Sequence, residues 1–265
     1  DYLIAADYPV PVIPDVPSSD KDRIIGRTIA EFVPDGACIQ LGIGGIPNAV
    51  AEFLKEKNDL GVHTEMITSK MVELMQMGVI NNKYKQICTG KMVATFALGN
   101  QAVYDYMDHN PNVELRDGAW VNDPYVIAQN DNQISINTSL EVDLTGQCAS
   151  ESIGSRQFSG TGGQSDTAIG AQMSKNGRSI IALYSTAMVK GPDGERREVS
   201  KIVPQLQAGA AVSLSRNDVD LVITEYGVAD LRGASIRERV RELIQIAHPM
   251  FRDSLWDQAV EAGIL

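Results

Sequence analysis

Between Lys21 and Phe32 the apolar positions recur at the helical interval. Ile24, Ile25, Thr28, Ile29 and Phe32 fall at i, i+3 and i+4, and Ser18-Ser19-Asp20 offers side chains that cap a helix start. Asp35-Gly36 then turns the chain into a short apolar run, Ala37 to Leu41, that reads as a strand. Pro47 suits the first position of a second helix, with Val50, Phe53 and Leu54 inward, and Asn58 to Gly61 closes it. Val62 to Ile67 reads as the next strand, followed by a helix around Met71 to Met77 whose methionines serve as core filler.

Further along, strands are predicted over Met92 to Leu98, Val113 to Leu115, Gln133 to Asn137, Leu140 to Leu144, Arg178 to Leu183, Lys201 to Val203 and Val219 to Thr224. Helices are predicted over Gln101 to Met107, Ser235 to Ala247 and Asp253 to Ala262. Strand and helix alternate in the first third, and the middle is rich in strands. The expected fold is therefore α/β: an open, mostly parallel sheet with helices on both faces and a mixed middle section. The proline-rich stretch Pro9 to Pro17 reads as an extended arm or linker. Residues 1–20 are thus expected to be an arm, and 21–265 one domain.

Composition narrows the partners. The 265 residues carry a formal charge of -11, which argues against a nucleic-acid partner. No apolar run is long enough for a membrane span, so no membrane partner is expected. Cys38, Cys88 and Cys148 lack CxxC spacing, and His63, His109 and His248 are scattered. A reducing, cytoplasmic setting is expected, without a disulfide framework, a metal or a redox cofactor. The apolar content allows a homo-oligomer.

Two features suggest chemistry. The first is the glycine turn Gly42-Ile43-Gly44-Gly45-Ile46-Pro47 between strand and helix. Glycines let backbone approach a ligand, and a helix start presents unpaired N–H groups to an anion. The turn lacks the Lys-Ser/Thr of a Walker A loop, and proline at 47 excludes GxGxxG. On spacing alone, a plain strand-to-helix turn is an equal reading. The second feature is Glu65, a carboxylate inside an apolar strand, where alternation sets His63, Glu65 and Ile67 on one face. It reads either as a solvated edge residue or as a nucleophile that attacks a thioester. Glu141 is a rival. The second glycine cluster, Gly160-Thr161-Gly162-Gly163, could aim N–H groups at an oxyanion or form a surface loop. Asn137 and Arg178 could line a pocket and meet a phosphate, or remain strand residues.

Several segments occur together in order: Gly42 to Pro47, His63-Thr-Glu-Met66, Asn137-Thr-Ser-Leu-Glu-Val-Asp143, Gly160-Thr-Gly-Gly-Gln164, Thr224 to Gly233 and Ala247-His-Pro249. In these the chain resembles the C-terminal half of class I CoA-transferases of the acetyl-CoA hydrolase/transferase type, over nearly everything from Asp20 onward. The resemblance implies that an N-terminal half of the same protein precedes it and that acyl-CoA and a short-chain carboxylate are substrates. Coenzyme A is then a substrate rather than a cofactor. It ranks Glu65 above Glu141, because the family's glutamate follows the turn by a little over twenty residues. It assigns CoA contacts to Gly42, Ile43, Gly44, Gly45, Ile46, Asn137, Gly160, Gly162, Gly163 and Arg178, although lysine is commoner at the last position. It leaves Glu225 and Arg232 as an internal pair. Its expected activity is ping-pong CoA transfer through a glutamyl-CoA thioester. An acyl-CoA hydrolase and a non-catalytic CoA-binding module are the alternatives.

Overall fold

A computed structural model of the chain describes residues 2, 4–191 and 193–265; Asp1 and Leu3 of the expected arm lie outside the described residues. The central sheet has six strands: β1 (Cys38–Leu41), β2 (Gly61–Val62), β3 (Gln133–Thr138), β4 (Arg178–Ala182), β5 (Leu221–Thr224) and β6 (Gly227–Asp230), in the order β6-β5-β4-β3-β1-β2. Neighbours are parallel except β5 and β6, which form an antiparallel hairpin at one edge. The predicted mostly parallel sheet is what the chain forms.

Side-chain alternation divides the core in two. Ile39, Leu41, Ile134, Ile136, Ile180, Ala182, Leu221 and Ile223 face one side. Helices α1 (Asp20–Glu31), α2 (Gly45–Leu54) and α3 (Ser69–Gln76) contribute to the same core. Ile181 and Val222 face the other side, against Ala168 of α4 (Gln164–Met173) and Val240 and Leu243 of α5 (Ile236–Ile246). The last helix, α6 (Pro249–Glu261), packs Leu255 and Ala259 into that second core. Each fully buried Ile or Leu contributes about 1.5–3 kcal/mol.

In α1 a capping box holds the start. Ser19 Oγ accepts from Asp22 N–H, and Asp22 Oδ2 accepts from Ser19 N–H at 2.8 Å. The expected stripe is rotated. Ile24 is 51 % exposed, whereas Gly26 and Ala30 are buried beside Ile25 and Ile29. The reason is the crossing with α2, where a Cβ on Gly26 would stand 2.8 Å from the Ala49 carbonyl carbon. Helix α2 starts two residues earlier than expected, with Gly44 as its N-cap at φ 115° and Pro47 in third position.

The predicted strand from Val62 to Ile67 is broken. Gly61–Val62 joins the central sheet, and Met66–Ile67 pairs in parallel with Phe96–Ala97 in a separate two-stranded sheet. The middle section is mixed as expected. Glu141–Asp143 pairs with Cys148–Ala149 and with Ile202–Val203, and a hairpin joins Thr186–Lys190 to Arg196–Ser200. Arm residues lie over the domain surface: Ile13 N–H donates to Gly99 O at 2.9 Å, Tyr104 Oη to Pro11 O, and Asn48 Nδ2 to Val16 O.

Candidate active site

Parallel strands place the start of the following segment at their C-terminal ends, and ligands gather there. A cavity of 330 Å³ opens at the ends of β1 and β3, walled by Gly42, Glu65, Asn137, Glu151 and Gly163 among others. The break in the predicted strand turns the Glu65 side chain into it. Its main-chain carbonyl accepts from Thr95 N–H at 2.9 Å and Phe96 N–H at 3.2 Å. Its carboxylate Oε2 accepts from Gly163 N–H at 2.8 Å and from Asn122 Nδ2 at 3.2 Å. Among the described residues Oε1 accepts no hydrogen bond. Burial, and then the negative charges of Glu65 and Asp123, hold the carboxyl of nearby Asp166 above the usual range.

Gly163 is glycine for a steric reason. A Cβ there would lie 2.3 Å from Glu65 Oε2 and 2.6 Å from Asn122 Nδ2. Gly160 and Gly162 line the same cavity, but an added Cβ would meet nothing within 4 Å. Asn137 lines the cavity with its polar atoms already engaged. Its Nδ2 donates to Gln40 Oε1, Ser135 Oγ and Thr167 Oγ1 at 3.0–3.2 Å, and its Oδ1 accepts from Gln40 Nε2 at 3.3 Å. Asn137 is therefore the upper edge of a hydrogen-bonded floor across β1, β3 and α4.

The glycine turn is a ridge between two hollows. Gly42 and Ile43 face the 330 Å³ cavity, while Ile43, Gly44, Gly45 and Ile46 face an adjoining groove of 630 Å³ that also takes in Phe158 and Met188. The start of α2 is not vacant. Asp22 is buried against Gly45, where an added Cβ would lie 2.6 Å from its Oδ2, and Tyr184 Oη donates to its Oδ1 at 2.6 Å. The fold thus brings the Asp22 carboxylate against the first residue of α2.

Arg178 stands apart from these residues. It enters β4 at the N-terminal end, the opposite end from the turn. There its Nε and Nη2 meet Asp220 at 2.8 and 3.0 Å, and Nη2 meets Asp230 at 3.3 Å. Asp220 is fully buried and also accepts from Ser179 N–H. The ion pair assigns Arg178 to sheet packing, not to a phosphate. Glu141 is likewise removed from the cavity: it is buried in a small sheet beside Lys201 at 3.5 Å. Glu225 pairs with Lys21 at 3.0 Å and accepts from Ser185, and Arg232 Nη2 donates to Gln172 O, so the expected Glu225–Arg232 pair does not form.

Asn122 gives no signal of its own in the sequence. It follows a four-residue helix, Gly118–Val121, too short to give a periodic signal. His63 positions that helix. Its Nε2–H donates to Val121 O at 2.8 Å and its ring lies 5.7 Å from Trp120. Burial pushes its pKa down to about 4, so the ring is neutral at pH 7. No group of three or more potential metal ligands is found among the described residues. Among them, too, no helix is long and apolar enough to cross a membrane.

This fold and site define a CoA-transferase-like domain. Residues 99–259 match the acetyl-CoA hydrolase/transferase C-terminal domain, and the chain belongs to the acetyl-CoA hydrolase/transferase family. Glu65 and the glycine turn lie outside the matched segment, but relatives extend across them. The chain is 49 % identical to 4-hydroxybutyrate coenzyme A transferase of Clostridium kluyveri, over 97 % of its own length and 58 % of the relative's. It is 48 % identical to succinyl-CoA:cyclohexane-1-carboxylate CoA transferase of Geobacter metallireducens, over 98 % of itself and 58 % of the relative. The crystal structure of RipA from Yersinia pestis superposes with a TM-score of 0.89 at 42 % identity, covering 97 % of this chain and 57 % of RipA. The chain thus spans a little over half the length of these relatives.

Proposed function

We propose that the natural protein transfers coenzyme A between a short-chain acyl-CoA and a carboxylate, with Glu65 as the covalent carrier. The observation that carries this reading is the state of the Glu65 carboxylate. One oxygen is held by the Gly163 N–H and the Asn122 amide at 2.8 and 3.2 Å, and the other faces a cavity bordered by the glycine turn. The free oxygen attacks the thioester carbonyl, the C–S bond breaks and CoA thiolate leaves, giving a glutamyl anhydride. The thiolate then attacks the glutamyl carbonyl carbon. Charge builds on Oε2, where two donors already stand, and collapse expels the carboxylate and leaves a glutamyl-CoA thioester. An acceptor acid runs the two steps in reverse.

The membership of 4-hydroxybutyrate and cyclohexane-1-carboxylate enzymes among the relatives supports carboxylate acceptors. The test is peptide mass spectrometry of the full-length protein after incubation with butyryl-CoA. A CoA thioester is expected on the peptide holding Glu65, released by acetate and absent in Glu65→Gln. An adduct elsewhere would overturn the residue assignment. Acyl-CoA consumption without any acceptor would favour hydrolysis, and tight CoA binding with no adduct would favour a binding module.

A further inference from the structure

Two side chains that stand two residues apart, His63 and Glu65, meet two consecutive residues of a distant segment, Val121 and Asn122. His63 Nε2–H donates to Val121 O at 2.8 Å, and Asn122 Nδ2 donates to Glu65 Oε2 at 3.2 Å. Val121 ends the short helix Gly118–Val121, and its carbonyl receives no backbone N–H among the described residues. The His63 ring is buried and its Nδ1 has no partner, so the proton sits on Nε2. The His63 backbone is tied to the central sheet. Its N–H donates to Ile39 O at 3.2 Å, and its carbonyl accepts from Gln133 Nε2 at 3.3 Å. Asn122 lies between two four-residue helices, Gly118–Val121 and Pro124–Ile127, and its Oδ1 is buried without a partner. The amide is therefore placed by its backbone, and His63 holds the carbonyl just before it.

We infer that His63 is a positioning residue for CoA transfer, one that holds the Asn122 amide on the Glu65 oxygen where charge builds. The inference rests on the reading of Glu65 as the CoA carrier. The two donors to that oxygen are supported differently. The Gly163 N–H stands at the start of α4, a helix of ten residues. Asn122 follows a helix of four, too short to hold itself. The His63 ring supplies that support from the same segment of backbone that carries Glu65, so one piece of chain sets both the acceptor and its amide donor. Trp120 lies against the ring at 5.7 Å, and the Arg116 guanidinium covers Trp120 at 4.2 Å. His63 and Val121 are both buried, and neither lines the 330 Å³ cavity. The effect of His63 on the reaction therefore passes through Asn122.

The test is a double-mutant cycle on butyryl-CoA:acetate transfer by the full-length protein. Asn122→Ala removes the donor and should lower kcat by about 10²–10³-fold. His63→Phe keeps a ring against Trp120 but cannot donate to Val121 O, and should lower kcat at least about tenfold with KM for butyryl-CoA little changed. His63→Asn, whose amide stops one carbon short, should fall likewise and stands in if the phenylalanine variant does not fold. His63→Gln, whose amide nitrogen has nearly the reach of Nε2, should recover most of the rate. In the Asn122→Ala background, His63→Phe or His63→Asn should cost no more than about a further twofold. Wild-type kcat in the folded phenylalanine or asparagine variant overturns the inference, as does the same loss in His63→Gln or a full additive loss in the Asn122→Ala background. Absence of a CoA thioester on Glu65 in the wild-type protein would instead remove the underlying reading, and this inference with it.

Discussion

Gly163→Ala isolates the hydrogen-bonded oxygen of Glu65 from the rest of the fold. The backbone at Gly163 has φ -80° and ψ 12°, a conformation open to alanine, so no backbone strain is introduced. The new methyl group would stand 2.3 Å from Glu65 Oε2, where ordinary contact begins at 3.4 Å. The carboxylate must therefore withdraw by about 1 Å, and displacement on that scale costs about 10²-fold in rate. Alanine keeps its N–H, but a withdrawn carboxylate no longer meets it, and loss of one such oxyanion contact is worth about 10²–10³-fold. We expect kcat for butyryl-CoA:acetate transfer to fall at least 10²-fold, with unfolding free energy lowered by no more than about 1–3 kcal/mol of local overpacking. Gly160→Ala, whose methyl meets nothing within 4 Å, should cost far less. The assay is steady-state transfer in the full-length protein, with urea unfolding of each variant. A folded Gly163→Ala protein with near wild-type kcat would refute the reasoning.

Other outcomes follow from the packing. His63 has a folded pKa of about 4 against 6.5 unfolded, so the unfolded chain binds the proton first as pH falls. Its contribution to stability is full above about pH 6.5 and is lost progressively toward pH 4, by about 3 kcal/mol; urea midpoints measured at pH 7, 5.5 and 4.5 should show this slope, and His63→Gln should flatten it. Arg178→Ala leaves fully buried Asp220 without its cation and should destabilise by about 3 kcal/mol, with transfer activity of the remaining folded protein little changed; a drop in CoA affinity at unchanged stability would return Arg178 to the site. Gly26→Ala drives a methyl into the Ala49 backbone at the α1–α2 crossing and should cost about 1–3 kcal/mol by chemical denaturation.

Much of the central sheet was legible because its strands are short apolar runs ended by turn residues. Gln133 and Arg178 each begin a strand, and Thr224 ends one, where the pattern predicts. The failures have physical causes. Helix α4 carries Gln164, Ser165, Asp166 and Gly170 among few large apolar residues, so its period is invisible, yet its first turn stands beside Glu65. Gly170 is small because Ile127 fills the space a Cβ would take. The Thr186–Ser200 hairpin is mostly exposed, with Lys190, Arg196 and Arg197 at its turn end, and lacks the apolar alternation of a half-buried strand pair. Isolated residues fared similarly. The roles of Glu65 and Glu141 are set by partners that sequence does not pair, namely Gly163 and Asn122 for one and Lys201 for the other. Arg178 looked like a phosphate ligand only because Asp220, 42 residues away in sequence, could not be seen beside it.

The break in the strand at Glu65 changes what the side chain has left to lose. An ordered glutamate gives up about 1.5–2 kcal/mol of rotamer freedom. Here the main-chain carbonyl is pinned by two N–H groups of the Thr95–Phe96 segment, and Oε2 by two donors from different elements. That entropy is surrendered once, when the chain folds, and not again each time a ligand arrives. The carboxylate stands in one orientation, and a ligand that enters the cavity does not have to order it again.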